Sequence, residues 1–212
     1  MKIIKLASLA ISDVKVIYYQ RFTDKRGYFT ETVRESDLFP LLFEKSRKDL
    51  HFVQVNESYS KKGTIRGLHF QWNPYMGKLV RIVSGNMIDF ALDIRIGSPT
   101  LGKIIAHHLT TNDKQTAGEW VWIPPGFAHG GYFLKDSIIE YLCTGEHNPS
   151  NEVGISFFSK SINWSLLDKE IYDLVPHSLS PSHLISDKDK KNISLEKWLK
   201  DTRSKNFMYG NV

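Results

Sequence analysis

From Val14 to Trp164 the chain is a train of short runs rich in valine, isoleucine and aromatic residues, broken at close intervals by Gly, Pro, Asn and Asp. Runs that short bury their apolar side chains by stacking sheet on sheet, so the pattern predicts an all-β sandwich or barrel. The clearest unit is Lys78–Ser84, then Gly85-Asn86, then Met87–Ile96, which reads as two strands joined by a tight two-residue hairpin. In the second strand Ile88, Phe90, Leu92, Ile94 and Ile96 alternate with Asp89, Ala91, Asp93 and Arg95. A period of two sends the first set to a core and the second to a polar space such as a barrel lumen. Further strands are expected at Tyr28–Val33, Phe52–Tyr59, Thr64–Gln71, Ile104–Leu109, Glu119–Ile123 and Ile138–Thr144.

Helical expectations are few. Ser36–Lys48 is expected to hold a short helix with Ser36 as its N-cap and Pro40 near its first turn. Ile193–Arg203 reads as a terminal amphipathic helix with Leu195, Trp198 and Leu199 on one side, and the lysine-rich Asp187–Lys191 before it as a solvated loop. The division this implies is one domain over residues 1–190 and a helical extension over 191–212. The N-terminal MKIIKLASLAISDVKV has an apolar patch broken by Asp13 and Lys15, which reads as a first strand rather than a signal segment.

Composition narrows the function classes. The 212 residues suit one domain with a sizeable core. A formal net charge of +5, spread along the chain, suits a phosphorylated ligand, while no basic helix, aromatic RNA-binding pattern or zinc-finger spacing points to nucleic acid. No apolar run reaches the ~20 residues of a membrane span. The single cysteine, Cys143, excludes an internal disulfide and fits a reducing cytoplasm.

Two segments carry the chemistry. Gly63–Gln71, GTIRGLHFQ, and Pro124–Gly130, PPGFAHG, resemble the two halves of a cupin metal site, and the resemblance implies a double-stranded β-helix jelly roll. The second histidine of the first half is replaced by Gln71. Two imidazoles and an amide make a poor cage for a divalent metal, so no metal is expected. What remains is His69 beside Arg66 and Lys78, the layout of a proton-transfer site on an anionic substrate.

With FTDKRGYFTET (22–32), FVQVNESYSKKGTIRGLHFQ (52–71), GKLVRIVSGNMIDFALDIRIGSPTLGK (77–103), WIPPGFAHG (122–130), NPSNEVGI (148–155), INW (162–164) and ISDKD (185–189), the chain resembles the dTDP-4-dehydrorhamnose 3,5-epimerases and related nucleotide-sugar epimerases. The resemblance implies that His69 is a base removing the proton beside a ketone and that Asp189 is the carboxylate orienting it. It implies that Lys78 stabilises the enolate with His129 in support, and that Tyr141 is the proton donor. Reaching Tyr141 requires a loop shortened by one residue, placed in the Lys135–Ser137 turn; were the deletion elsewhere, Leu142 would take the position. Arg66 matches the sugar and phosphate site, and Arg26, Glu31, Gln54, Asn56, Glu152 and Lys188 match positions contacting the diphosphate or base. His147 stands where the family commonly has a tyrosine stacked on thymine, and an imidazole can also stack there. Cys143 reads as packing.

The activity implied is epimerisation of a nucleotide-linked 4-keto-6-deoxyhexose at C3, C5 or both, without cofactor, by a homodimer. A nucleotide-sugar 3,4-ketoisomerase, a metal-dependent cupin enzyme and a non-catalytic sugar-nucleotide binding cupin stand as alternatives.

Overall fold

The computed structural model describes residues 1–43, 51–111, 116–178, 180 and 182–212. In chain order the strands are β1 (Ile3–Ser8), β2 (Lys15–Gln20), β3 (Phe22–Asp24), β4 (Gly27–Phe29), β5 (Gln54–Ser60), β6 (Ile65–Gln71) and β7 (Lys78–Ser84). They continue with β8 (Asn86–Asp93), β9 (Ile104–Thr110), β10 (Ala117–Ile123), β11 (Phe127–Phe133), β12 (Ser137–Cys143) and β13 (Glu152–Gly154). Helices α1 (Glu35–Leu42), α2 (Lys169–Leu174), α3 (Asp187–Lys190) and α4 (Leu195–Lys200) are short. One antiparallel sheet runs β1-β2-β10-β7-β12-β5 and faces a second that runs β13-β6-β11-β8-β9, while β3 and β4 form a separate hairpin. This is the jelly roll that the sequence predicts.

Alternation along the strands builds three layers of apolar packing. Between the sheets, Val80, Ile82, Val121 and Ile123 meet Met87, Ala91, Ile105 and Phe127. Outside the five-stranded sheet, Leu68, Phe70, Ile88, Phe90 and Leu92 pack on Phe157, Leu195, Trp198 and Phe207. Burying a side chain such as Leu or Phe contributes about 1.5–3 kcal/mol, so the C-terminal segment is docked rather than trailing. Outside the other sheet, Ile17, Leu79, Trp120 and Trp122 pack on Leu38 of α1. The polar face expected for β8 is therefore the sandwich interior, and Asp89 and Asp93 are buried within it.

Five local expectations are corrected. Gly85-Asn86 does not close a hairpin: β7 pairs with β10 and β12, and β8 with β9 and β11, so the chain crosses from one sheet to the other at this corner. Gly85 has φ +109°, and a Cβ there would lie 2.2 Å from Ser137 Oγ. A Gly-Asn pair encodes the reversal but not the partner of the strand that follows. Tyr28–Val33 is a strand only to Phe29. Helix α1 begins at Glu35 with Arg34 as N-cap, so Ser36 lies inside it without a capping role; the expected residues 44–48 lie outside the described residues. The terminal helix is α4 alone, capped by Ser194, followed by a 3-10 turn over Thr202–Asn206. Asp187–Lys191 is mostly helix α3, with Ser186 Oγ accepting from Asp189 N.

Candidate active site

A cavity of about 290 Å³ opens between the sheets. The five-stranded sheet presents Arg66 and His69 from β6 and His129 from β11, the facing sheet presents Lys78 from β7 and Tyr141 from β12, and α3 adds Lys188 and Asp189. Period two explains the grouping: Leu68 and Phe70 point into the outer core, so His69 between them points inward. Leu142 packs with Trp120 and Trp122 on the outer side of its sheet, leaving Tyr141 in the cavity.

His69 Nε2 donates to Asp189 Oδ1 at 2.6 Å across 120 positions of sequence, and Asp189's side chain is only 7% exposed. Burial pushes the Asp189 carboxyl up, but the hydrogen bond and charge of His69, with donors around Ser186 and Gly67, outweigh it and hold the group below its ordinary value. On the adjacent strand, paired in register with His69, His129 Nε2 donates to Asp89 Oδ1 at 2.7 Å. Asp89 is fully buried, and its Oδ2 has no partner among the described residues. In both pairs the remaining ring nitrogen, Nδ1, is left for a ligand.

Burial pulls the Lys78 ammonium below its usual range, against the opposing pull of Cys143, Glu152 and Asp89. Burial also pushes the Tyr141 phenol up, with Cys143 adding to the shift. Cys143 is buried, its thiol raised by burial, and receives a long contact from Asn56 Nδ2 at 3.7 Å. Beside the cavity Gln54 Nε2 donates to Asn56 Oδ1, and Gln54 Oε1 accepts from His147 N. Glu152 meets His147 at 3.5 Å and Lys188 more closely. Its carboxyl is raised by burial but held below its ordinary value mainly by Lys188.

Two expected ligand contacts are not brought here. Arg26 sits at the turn of the β3–β4 hairpin, its side chain 83% exposed and paired with Asp24. Glu31 pairs with Arg34 and the N-terminal amine. Gln71 is occupied elsewhere: Nε2 donates to Pro74 O and Glu146 O, and Oε1 accepts from Asn148 N, bracing two loops. Sequence reasoning placed Asp89 on the polar face of its strand without giving it a role, and passed over Asn192, which carries no local signal.

The frame is thus a cupin-type jelly roll with an acid–base cavity between its sheets. A family model described as dTDP-4-dehydrorhamnose 3,5-epimerase matches residues 8–197. The dTDP-4-dehydrorhamnose 3,5-epimerase of Sinorhizobium fredii is 43% identical over 162 residues, covering 74% of this chain and 78% of the relative. That of Pseudomonas aeruginosa is 34% identical over 189 residues, covering 88% and 93%. The crystal structure of dTDP-6-deoxy-D-glucose-3,5-epimerase from Legionella pneumophila, in complex with dTDP-4-keto-L-rhamnose, is 31% identical and superposes with a TM-score of 0.78 over 94% of this chain and 96% of that one. The chain belongs to the dTDP-4-dehydrorhamnose 3,5-epimerase family and is an isomerase. Among the described residues no helix is long and apolar enough to cross a membrane.

Proposed function

We propose that the protein epimerises a dTDP-linked 4-keto-6-deoxyhexose at C3, C5 or both by proton abstraction and reprotonation from opposite sides. The observation that carries this reading is the placement of His69, backed by Asp189, and Tyr141 on facing sheets of one cavity. His69 Nδ1 takes the proton beside the C4 ketone, and the C–H electron pair moves into the enolate. Asp189 holds the ring and stabilises the imidazolium that forms. Lys78 meets the charge developing on the ketone oxygen, where exclusion of water strengthens the interaction, and His129, whose Nε2–H is spent on Asp89, supports it by donating from Nδ1 only when both ring nitrogens carry protons. Tyr141 then protonates the carbon from the facing sheet, and water restores both groups by removing the proton from His69 and returning one to the phenolate.

Arg66 and Lys188 take the sugar and diphosphate, and Gln54, Asn56, His147 and Glu152 take the nucleoside end. Arg26 and Glu31 reach a nucleotide only if a second copy brings its hairpin to the cavity, and we read the protein as a cytoplasmic homodimer. Exposed Phe22, Tyr28 and Phe29 on the hairpin, with Val53, Val55 and Tyr59 at the β5 edge, are the apolar surface such a dimer would cover. Incubation with dTDP-4-keto-6-deoxyglucose in D2O, followed by NMR, tests the chemistry: deuterium is expected at C3, C5 or both. Binding without any exchange would overturn the reading in favour of a non-catalytic sugar-nucleotide protein.

A further inference from the structure

Asp189 reaches His69 from a four-residue helix, and its N-cap alone does not aim a carboxylate. The segments flanking the helix are tied down by parallel bridges, Leu184 to Thr64 before it and Ile193 to Ile155 after it. Between the second bridge and the helix stands Asn192. Its carboxamide Nδ2 donates to Gly67 O at 3.0 Å and lies 3.5 Å from Asp189 Oδ1. One amide group thus spans the carboxylate and the strand that carries His69, two residues before the histidine itself.

The space for that amide is made by Gly154. Gly154 stands opposite His69 in the β13–β6 register, and its φ is not in the left-handed region, so the backbone there accepts any residue. What excludes a side chain is Asn192: a Cβ on Gly154 would lie 2.1 Å from Asn192 Oδ1 and 2.4 Å from its Cγ. Because Asn192 N also bonds Asp189 O, the carboxamide has little room to retreat.

We propose that Asn192, admitted by Gly154, is a positioning residue that sets the angle at which Asp189 meets His69. The inference rests on His69 being the base. A ring tilted from its productive angle loses rate more than affinity, because the Asn192 carboxamide bonds to Gly67 and Asp189, neither of which holds the nucleotide. Asn192→Ala is expected to lower the rate of substrate deuterium exchange by roughly 10- to 100-fold, with KM changed less than about 2-fold. Asn192→Ser, which keeps one donor, is expected to lie between. Gly154→Ala is expected to reproduce the loss by displacing the amide, and the Gly154→Ala/Asn192→Ala double variant to be no worse than either single one, since residues acting through one contact are not additive.

The same geometry is readable in the free protein. The His69 imidazole N–H bound to Asp189 is expected as a downfield proton resonance in wild type, broadened by solvent exchange in Asn192→Ala and Gly154→Ala and retained in Asn192→Ser. Failure of the wild type to exchange substrate protons would remove the catalytic reading while leaving this NMR test intact. An unchanged resonance and exchange rate in folded Asn192→Ala would overturn the proposal, as would losses in the double variant that simply multiply.

Discussion

The two histidine–carboxylate pairs in the cavity are close in geometry and unlike in support. His69 and His129 lie opposite each other on β6 and β11, with bonds of 2.6 and 2.7 Å to Asp189 and Asp89. Asp89 comes from β8, the strand beside His129, and sits in the sandwich interior with one oxygen unpartnered among the described residues. Asp189 comes from a distant helix at the cavity rim, with Ser186, Gly67 and Asn192 around it. A pair built within one sheet is fixed by strand register and has few ways to adjust. A pair assembled across the fold depends on several small restraints, and such restraints can tune a base.

The largest expected difference between the pairs is catalytic. His69→Asn is expected to reduce proton wash-out from the keto-sugar by about 10²–10⁴-fold, the usual loss for a positioned general base. His129→Asn removes a supporting donor to the enolate and is expected to slow the same exchange by about 10²–10³-fold without changing which carbons exchange. Equal wash-out in wild type and a folded His69→Asn variant, read by NMR in D2O, would break the assignment of base and support. Next comes Tyr141→Phe, which keeps the ring volume and removes the donor on the facing sheet. Deuterium is expected to enter the substrate while stereochemical inversion drops at least about 10²-fold; unaltered inversion would take Tyr141 out of the reaction.

The histidine of each pair is legible in the sequence, while Asp189 is reached only through the family resemblance and Asp89 carries no assigned role. His69, Lys78, His129 and Tyr141 lie on strands whose alternation alone decides which way they face, so motif and period agree with their place on the cavity wall. The Lys135–Ser137 turn shows the limit of counting: sequence left Tyr141 and Leu142 open, and packing of Leu142 against Trp120 separates them. Asp189 reads locally as a charge in a lysine-rich loop, because the segments flanking helix α3 are held by bridges to Thr64 and Ile155, more than 30 residues away. Asn192 was invisible for the same reason. Gly85-Asn86 erred in the opposite direction, since a strong local turn signal was completed by partners the turn does not encode.

A smaller effect is a pH dependence of stability at Asp189. The folded Asp189 carboxyl is held below its ordinary value, so its contribution to stability is present above the unfolded value of about 3.9 and is lost as pH falls through the folded one. Urea unfolding of wild type and Asp189→Asn is therefore expected to show a stability gap at pH 6 that narrows steadily below pH 4. A gap independent of pH over that range would mean that the carboxylate charge contributes nothing to the fold.

The smallest expected effect concerns metal, and it follows from where the ring nitrogens and Gln71 are spent. A cation held by His69 and His129 would have to use Nδ1 of each, because both Nε2 atoms are bonded to carboxylates. Position 71 offers no third ligand, since Gln71 is buried with three bonds to loop backbone at 2.7, 2.9 and 3.1 Å. Exhaustive chelation is therefore expected to leave exchange activity unchanged. Gln71→His would supply an imidazole to the position but could not reproduce three bonds, leaving buried backbone groups unpaired at a cost of about 1–3 kcal/mol. The variant is expected to unfold at lower temperature and still to bind no stoichiometric transition metal by elemental analysis. One tightly held ion per chain in Gln71→His, with stability kept, would show that position 71 is free to turn into the cavity and that loop bracing is not what holds it.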